Sequence, residues 1–225
     1  MRRSGLLLAI VLVLVAALLA ACGDDGGEST TSVADEPGCT EVKPPPVKDQ
    51  SFKKPGNVLD PGEPASATVE TSCGTFVIRL DTEHSPHTAN SFAFLAEQGF
   101  YDDTVFHSID PGFVIQGGDP KGSDPQLAGP GGPGYSIREP PPQRSAYTRG
   151  VVAMAKTEVD PPGTSGSQFF VVTAPADAGL SPDFAILGQV TNGMDVVAEI
   201  GELGDPGTGQ PTQTVVIDKI TVQTG

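Results

Sequence analysis

Apolar and polar positions alternate with a period of two over most of the chain's second part. Ala67, Val69 and Thr71 alternate with polar residues, Ser72-Cys73-Gly74 turns, and Phe76, Ile78 and Leu80 alternate again, which predicts a β-hairpin. The period then changes. Ser85 followed by Pro86 reads as an N-cap with proline at the first helical position, and Ala89, Phe92, Ala93 and Ala96 recur at helical spacing until Gly99. One helix is predicted at about 86–98, with Phe92 and Phe94 as core residues closing one end of the fold. Val105, Phe106 and Ile109, a Pro111-Gly112 turn, and Phe113, Val114 and Ile115 before Gly117-Gly118 predict a second hairpin. Further strands are expected at 151–155, 168–172, 186–190 and 215–222, and a short helix at 194–200. Many short strands with two helices point to a closed antiparallel barrel.

The first 64 residues have a different character. Residues 1–21 carry Arg2 and Arg3, an apolar run from Leu6 to Leu19 and small residues before Cys22. That order is a secretory signal, and the run is shorter than the ~20 residues a spanning helix needs. Cys22 directly after it resembles a bacterial lipoprotein box, which predicts a lipidated N-terminus anchored at an extracytoplasmic membrane face. Residues 22–64 are rich in Gly, Pro and acidic residues, include Pro44-Pro45-Pro46, and read as an acidic, Pro-rich tether kept solvated by Lys43, Lys48, Lys53 and Lys54. Residues 65–225 form the folded domain. The formal net charge is −15, and losing Arg2 and Arg3 takes it to −17 (−15 minus 2). Nucleic acid is thereby excluded as a partner, and the charge offers no attraction to anionic headgroups. With Cys22 assigned to lipid, Cys39 and Cys73 remain, and an oxidising compartment would pair them. Two free thiols are the alternative.

Candidate chemistry concentrates in two stretches. Gln116 ends an otherwise apolar strand, and Gln168 sits beside Phe169 and Phe170, so two amides among aromatics suggest a groove. Phe106-His107, Pro111-Gly112-Phe113, Gln116-Gly117-Gly118-Asp119, Met154-Ala155 and Gly166-Ser167-Gln168-Phe169-Phe170, in this order, closely resemble the cyclophilin-type peptidyl-prolyl isomerases over about residues 66–223. The resemblance implies a mainly β fold, a closed eight-stranded antiparallel barrel capped by two α-helices. It implies a proline pocket lined by Phe113, Val114, Phe170 and Leu180, and a peptide gripped by Gln116 and the backbone at Ala155 and Lys156. Met154 and Gln168 join the substrate-binding set, and Phe184 falls where many members carry a histidine. The Gly129–Gly134 stretch resembles the family's Gly-rich surface loop. It is not a phosphate loop, because no Lys-Ser or Lys-Thr follows and prolines remove amide donors.

One position departs from the pattern. Ser108 stands where the family has its main catalytic arginine. Rotating a prolyl bond crosses a barrier of ~18–20 kcal/mol set by amide resonance. It needs a pocket for the ring and donors aimed at developing charge, and no nucleophile, metal or cofactor. Ser108, Phe113 and Gln116 are the candidate catalytic residues, and a short neutral hydroxyl in place of a guanidinium predicts reduced turnover. Arg138, Arg144 and Arg149 are candidates to swing in and replace the charge. His84, His87 and His107 are given no acid–base role, since the reaction transfers no proton. The expected function is isomerisation of X-Pro bonds in exported proteins by a monomer. The alternative is a non-catalytic proline-peptide-binding chaperone or adaptor at the cell surface.

Overall fold

A computed structural model describes residues 38–225 apart from Arg144. The signal segment and Cys22 lie outside the described residues. β1 (Ala65–Thr71) and β2 (Gly74–Leu80) form the first hairpin. Ala65, Ala67, Val69 and Thr71 on β1, and Phe76, Ile78 and Leu80 on β2, all face inward, as a two-residue period requires. α1 (Pro86–Glu97) follows, then β3 (Thr104–Asp110) and β4 (Val114–Asp119) around the Pro111-Gly112 turn. β5 (Ile137–Arg138) pairs with β7 (Thr164–Ser165) outside the barrel, on either side of β6 (Val151–Met154) in sequence. β8 (Phe169–Val172), β9 (Ile186–Asn192), α2 (Met194–Gly201) and β10 (Val216–Thr224) complete the chain.

Eight of the strands close in the order β1-β10-β3-β4-β8-β6-β9-β2, every described pairing antiparallel. The expected eight-stranded barrel with two helices is borne out. Its interior is aromatic. Phe76, Phe92, Phe106, Phe169 and Tyr101 are all fully buried, and burying each such ring contributes roughly 1.5–3 kcal/mol. Phe92, Tyr101 and Phe169 pack on one another with centroids 4.9–5.9 Å apart.

Three expectations change. Ser85 makes no side-chain cap; the carboxylate of Glu139 instead accepts from His87 N at 3.2 Å and Thr88 N at 2.7 Å, and its charge suits the helix N-terminus. Phe94 does not enter the barrel, because its ring meets Phe52 edge-on at 5.2 Å. Residues 38–64, read as a solvated tether, lie along the domain surface. Cys39 is joined to Cys73, the turn residue between β1 and β2. Val58 N and Leu59 N donate to Asn90 Oδ1, whose amide returns a hydrogen bond to Gly56 O. Lys48 turns inward, its Nζ donating to the carbonyls of Gly99, Phe100 and Asp102 at 2.7–3.1 Å. Those carbonyls follow α1 and have no helical partner, so a cation satisfies them where composition alone predicts a solvated lysine.

Candidate active site

The groove lies where β4, β6 and β8 show their outward faces. Strand alternation sorts the residues. On β8, Phe169 points into the barrel and Phe170 away from it; on β6, Val152 and Met154 point in, while Val151 and Ala153 point out. Phe170, Ala153, Val172 and Tyr147 form a second apolar cluster, with Val114, Ala155, Leu180 and Phe184 half-buried at its rim. Phe184 stands edge-on to Phe170 at 5.4 Å and to Tyr147 at 6.0 Å. This patch is apolar, aromatic and open on one side, the requirements for holding a proline ring.

Beside it runs a polar cleft of about 620 Å³ that includes Gln116, Ala155, Lys156, Gln168 and the backbone from Gly129 to Ser136. Ala155 belongs to both, so the apolar patch and the cleft are continuous. Gln116 Nε2 donates to Gln168 Oε1 at 2.9 Å. Gln168 Nε2 in turn donates to Gly129 O and Gly131 O, both at 2.7 Å. With one amide hydrogen bonded to Gln168, Gln116 is oriented with its carbonyl oxygen available to a peptide N–H. Asp119 anchors this arrangement from below. Its buried carboxylate accepts from Lys121 N, Gly129 N and Gly131 N at 2.7, 2.7 and 3.2 Å. A Cβ on Gly131 would collide with that carboxylate, which explains the glycine.

Of the site residues expected from sequence, Val114, Ala155, Phe170, Leu180 and Phe184 come together around the apolar patch, and Gln116, Gln168 and Lys156 along the cleft. Phe113 is half-buried in the β3–β4 turn, its carbonyl accepting from Thr173 N and Ala174 N. Met154 is a correction: its side chain is 1% exposed in the barrel core and does not reach the groove, because β6 is apolar on both faces and the inward register takes Met154. Lys156 was expected to contribute backbone, yet its Nζ also lies 5.5 Å from the Phe184 ring centroid, tethered to Thr157 O and Asp160 O.

Ser108 on β3 is the cross-strand partner of Gln116, so the two share a face. Arg138 Nε donates to Pro162 O and Arg149 Nη1 to Thr173 O, and neither is bonded to Ser108, Gln116 or Gln168. Arg144 lies outside the described residues. Two supporting residues have no role assigned from the sequence. Tyr147 donates its hydroxyl to Phe184 O at 2.7 Å and accepts from Phe184 N at 3.1 Å, fixing the rim, while burial pushes its pKa up and keeps it protonated. Asp119 was visible as the end of the Gln-Gly-Gly-Asp run but had no assigned role. Among the described residues no group of three or more His, Cys, Asp or Glu is placed to hold a metal ion.

A family model described as cyclophilin type peptidyl-prolyl cis-trans isomerase matches residues 66–222. The chain belongs to this family. Among relatives, peptidyl-prolyl cis-trans isomerase-like 1 of Neurospora crassa is 40% identical over 158 residues, covering 68% of this chain and 91% of the relative. Peptidyl-prolyl cis-trans isomerase B of Streptomyces anulatus is 37% identical over 177 residues, covering 70% of this chain and 96% of the relative. A solved cyclophilin of Cryptosporidium parvum superposes with a TM-score of 0.64 at 26% identity, over 72% of this chain and 99% of that one. A second structure of that protein, determined in the presence of the dipeptide Ala-Pro, gives a TM-score of 0.63. As a cyclophilin, the chain is a peptidyl-prolyl cis-trans isomerase. That reaction calls for an apolar surface for the proline ring and polar groups for the flanking backbone, and the Phe170–Phe184 patch and the cleft at Gln116 and Ala155 have those chemistries.

Proposed function

We propose that this cyclophilin isomerises X-Pro bonds of exported proteins outside the cytoplasm. It works as a monomer, held at the membrane by lipid on Cys22, and its turnover is lowered by Ser108. The observation carrying the extracytoplasmic reading is the Cys39–Cys73 bridge, since such bonds persist in oxidising compartments. Support for the substrate comes from the apolar patch joined to the Gln116 cleft, and from the relative whose structure was determined with Ala-Pro. Reduced turnover rests on the Ser108–Gln116 pairing, where a neutral hydroxyl offers one weak donor to charge developing at the prolyl nitrogen.

The test is an isomerisation assay on residues 23–225 with an Ala-Pro peptide, together with mass spectrometry of Cys22 from membrane fractions. Acceleration of exchange and a diacylglyceryl adduct support the reading. Peptide binding without acceleration moves the protein to the second reading, a proline-peptide-binding chaperone or adaptor, which the same Ser108 position favours. A soluble product beginning elsewhere removes the anchor.

A further inference from the structure

One wall of the cleft is Gly129 to Gly134, the end of a loop from Pro120 to Gly134 that is rich in glycine and proline. Such a loop has little side-chain packing of its own, and its closure entropy must be met by contacts elsewhere. Inside the loop, Gly129 and Gly131 carry the two carbonyls that receive Gln168, which in turn holds Gln116. The loop's ends are held from outside the barrel. Lys48 N donates to Pro120 O at 2.8 Å and Phe52 N to Pro133 O at 2.7 Å. The same two residues grip the α1 side with their side chains: Lys48 Nζ takes the carbonyls of Gly99, Phe100 and Asp102, and the Phe52 ring packs on Phe94 and Phe100. Between them, Ser51 lies against Gly134, whose φ of +85° and lack of Cβ allow that approach.

We propose that Lys48 and Phe52 are positioning residues for the isomerase site: they clamp both ends of the Pro120–Gly134 loop to α1, so that the Gly129 and Gly131 carbonyls hold Gln168, and through it Gln116, in a peptide-binding orientation. The segment preceding the barrel is thereby part of the enzyme. This rests on the isomerase reading above, but its geometry is measured separately. Releasing the clamp leaves the Phe170–Phe184 patch intact, so the loss falls on the grip of the substrate backbone.

The experiment compares residues 23–225 carrying Phe52→Ala, Phe52→Leu or Leu59→Ala with the unsubstituted chain. Leu59 lies in the far half of the same segment, where it packs against the core and its N–H donates to Asn90 on α1, so Leu59→Ala matches the loss of packing without releasing the clamp. Phe52→Ala is expected to raise KM about 5- to 10-fold with kcat within about 2-fold, as expected when uniform binding is lost. Amide exchange over residues 129–134 should accelerate about 10-fold or more, reporting local opening. Phe52→Leu restores most of both, and Leu59→Ala changes neither. The proposal is overturned if Phe52→Ala leaves loop exchange and KM unchanged, or if Leu59→Ala moves them equally. An unsubstituted chain with no isomerase activity sinks the catalytic reading alone; exchange over 129–134 and Kd for the Ala-Pro peptide then decide the clamp by the same comparison.

Discussion

Gln116 and Gln168, 52 residues apart in sequence, share one hydrogen bond of 2.9 Å from Nε2 of the first to Oε1 of the second, and that bond fixes which end of the Gln116 amide turns toward Gln168. Because Gln168 is itself held by two glycine carbonyls, the pair acts as a unit. Substitutions within it should therefore be non-additive. Gln116→Ala and Gln168→Ala are each expected to lower kcat/KM about 10- to 50-fold, and the double variant to lie within about 5-fold of the worse single. Steady-state assays of the three variants measure this. Additive losses would show that Gln168 supports the fold and does not orient Gln116.

Ser108 sits directly across from Gln116, with Gly209 as a neighbour whose Cβ position lies 3.9 Å from Ser108 Oγ. An arginine there would add charge-assisted donors on a long side chain reaching into the groove. Ser108→Arg is expected to raise kcat by about 100- to 1000-fold, the range associated with a preorganised donor, while KM changes little. The protease-free prolyl exchange assay with an Ala-Pro peptide reads both. No gain in kcat would mean that the groove already meets the developing charge another way.

The barrel was legible because each strand's inward residues alternate, as in Phe76, Ile78 and Leu80, and because the Gln116 and Gln168 runs are long and specific. The groove was less so. β6 and β8 are apolar on both faces, so periodicity could not say that Met154 points inward and Phe170 outward; only closure of the barrel decides that. The clamp was illegible for another reason. Residues 38–64 have no apolar period, and the clamp within them depends on main-chain hydrogen bonds, one lysine and one phenylalanine, each unremarkable in composition. Tyr147 likewise acts on Phe184 through a hydroxyl and backbone, a contact set by tertiary proximity.

The Cys39–Cys73 bridge closes a segment with a sequence separation of 34. A loop of that size is worth about 3–4 kcal/mol through the denatured state on the chain-entropy account. Replacing both cysteines by serine should lower stability by about that amount in denaturant titrations of residues 23–225. KM for the Ala-Pro peptide should remain within about 2-fold, because Lys48 and Phe52 still hold the Gly-rich loop. A large rise in KM would place the bridge itself in the chain of contacts that supports the site.

His107 gives the protein an acid-side sensitivity unrelated to its chemistry. The ring lies beside the groove strand, its Nδ1 is buried without a hydrogen-bond partner, and burial lowers its pKa below 6.5 despite the nearby Asp119 carboxylate. A histidine whose folded pKa is depressed binds its proton more readily when unfolded. Above 6.5 both states are neutral; as pH falls from 6.5 through the folded pKa, the unfolded state gains protons first and stability is lost. His107→Gln removes that proton uptake while His84 and His87 remain in both proteins. Urea unfolding between about pH 5 and pH 7.5 should show stability falling more steeply toward acid in the natural chain than in the variant, with the two curves parallel above about pH 7. Parallel curves throughout would mean that the folded protein takes up the proton at His107 as easily as the unfolded chain does.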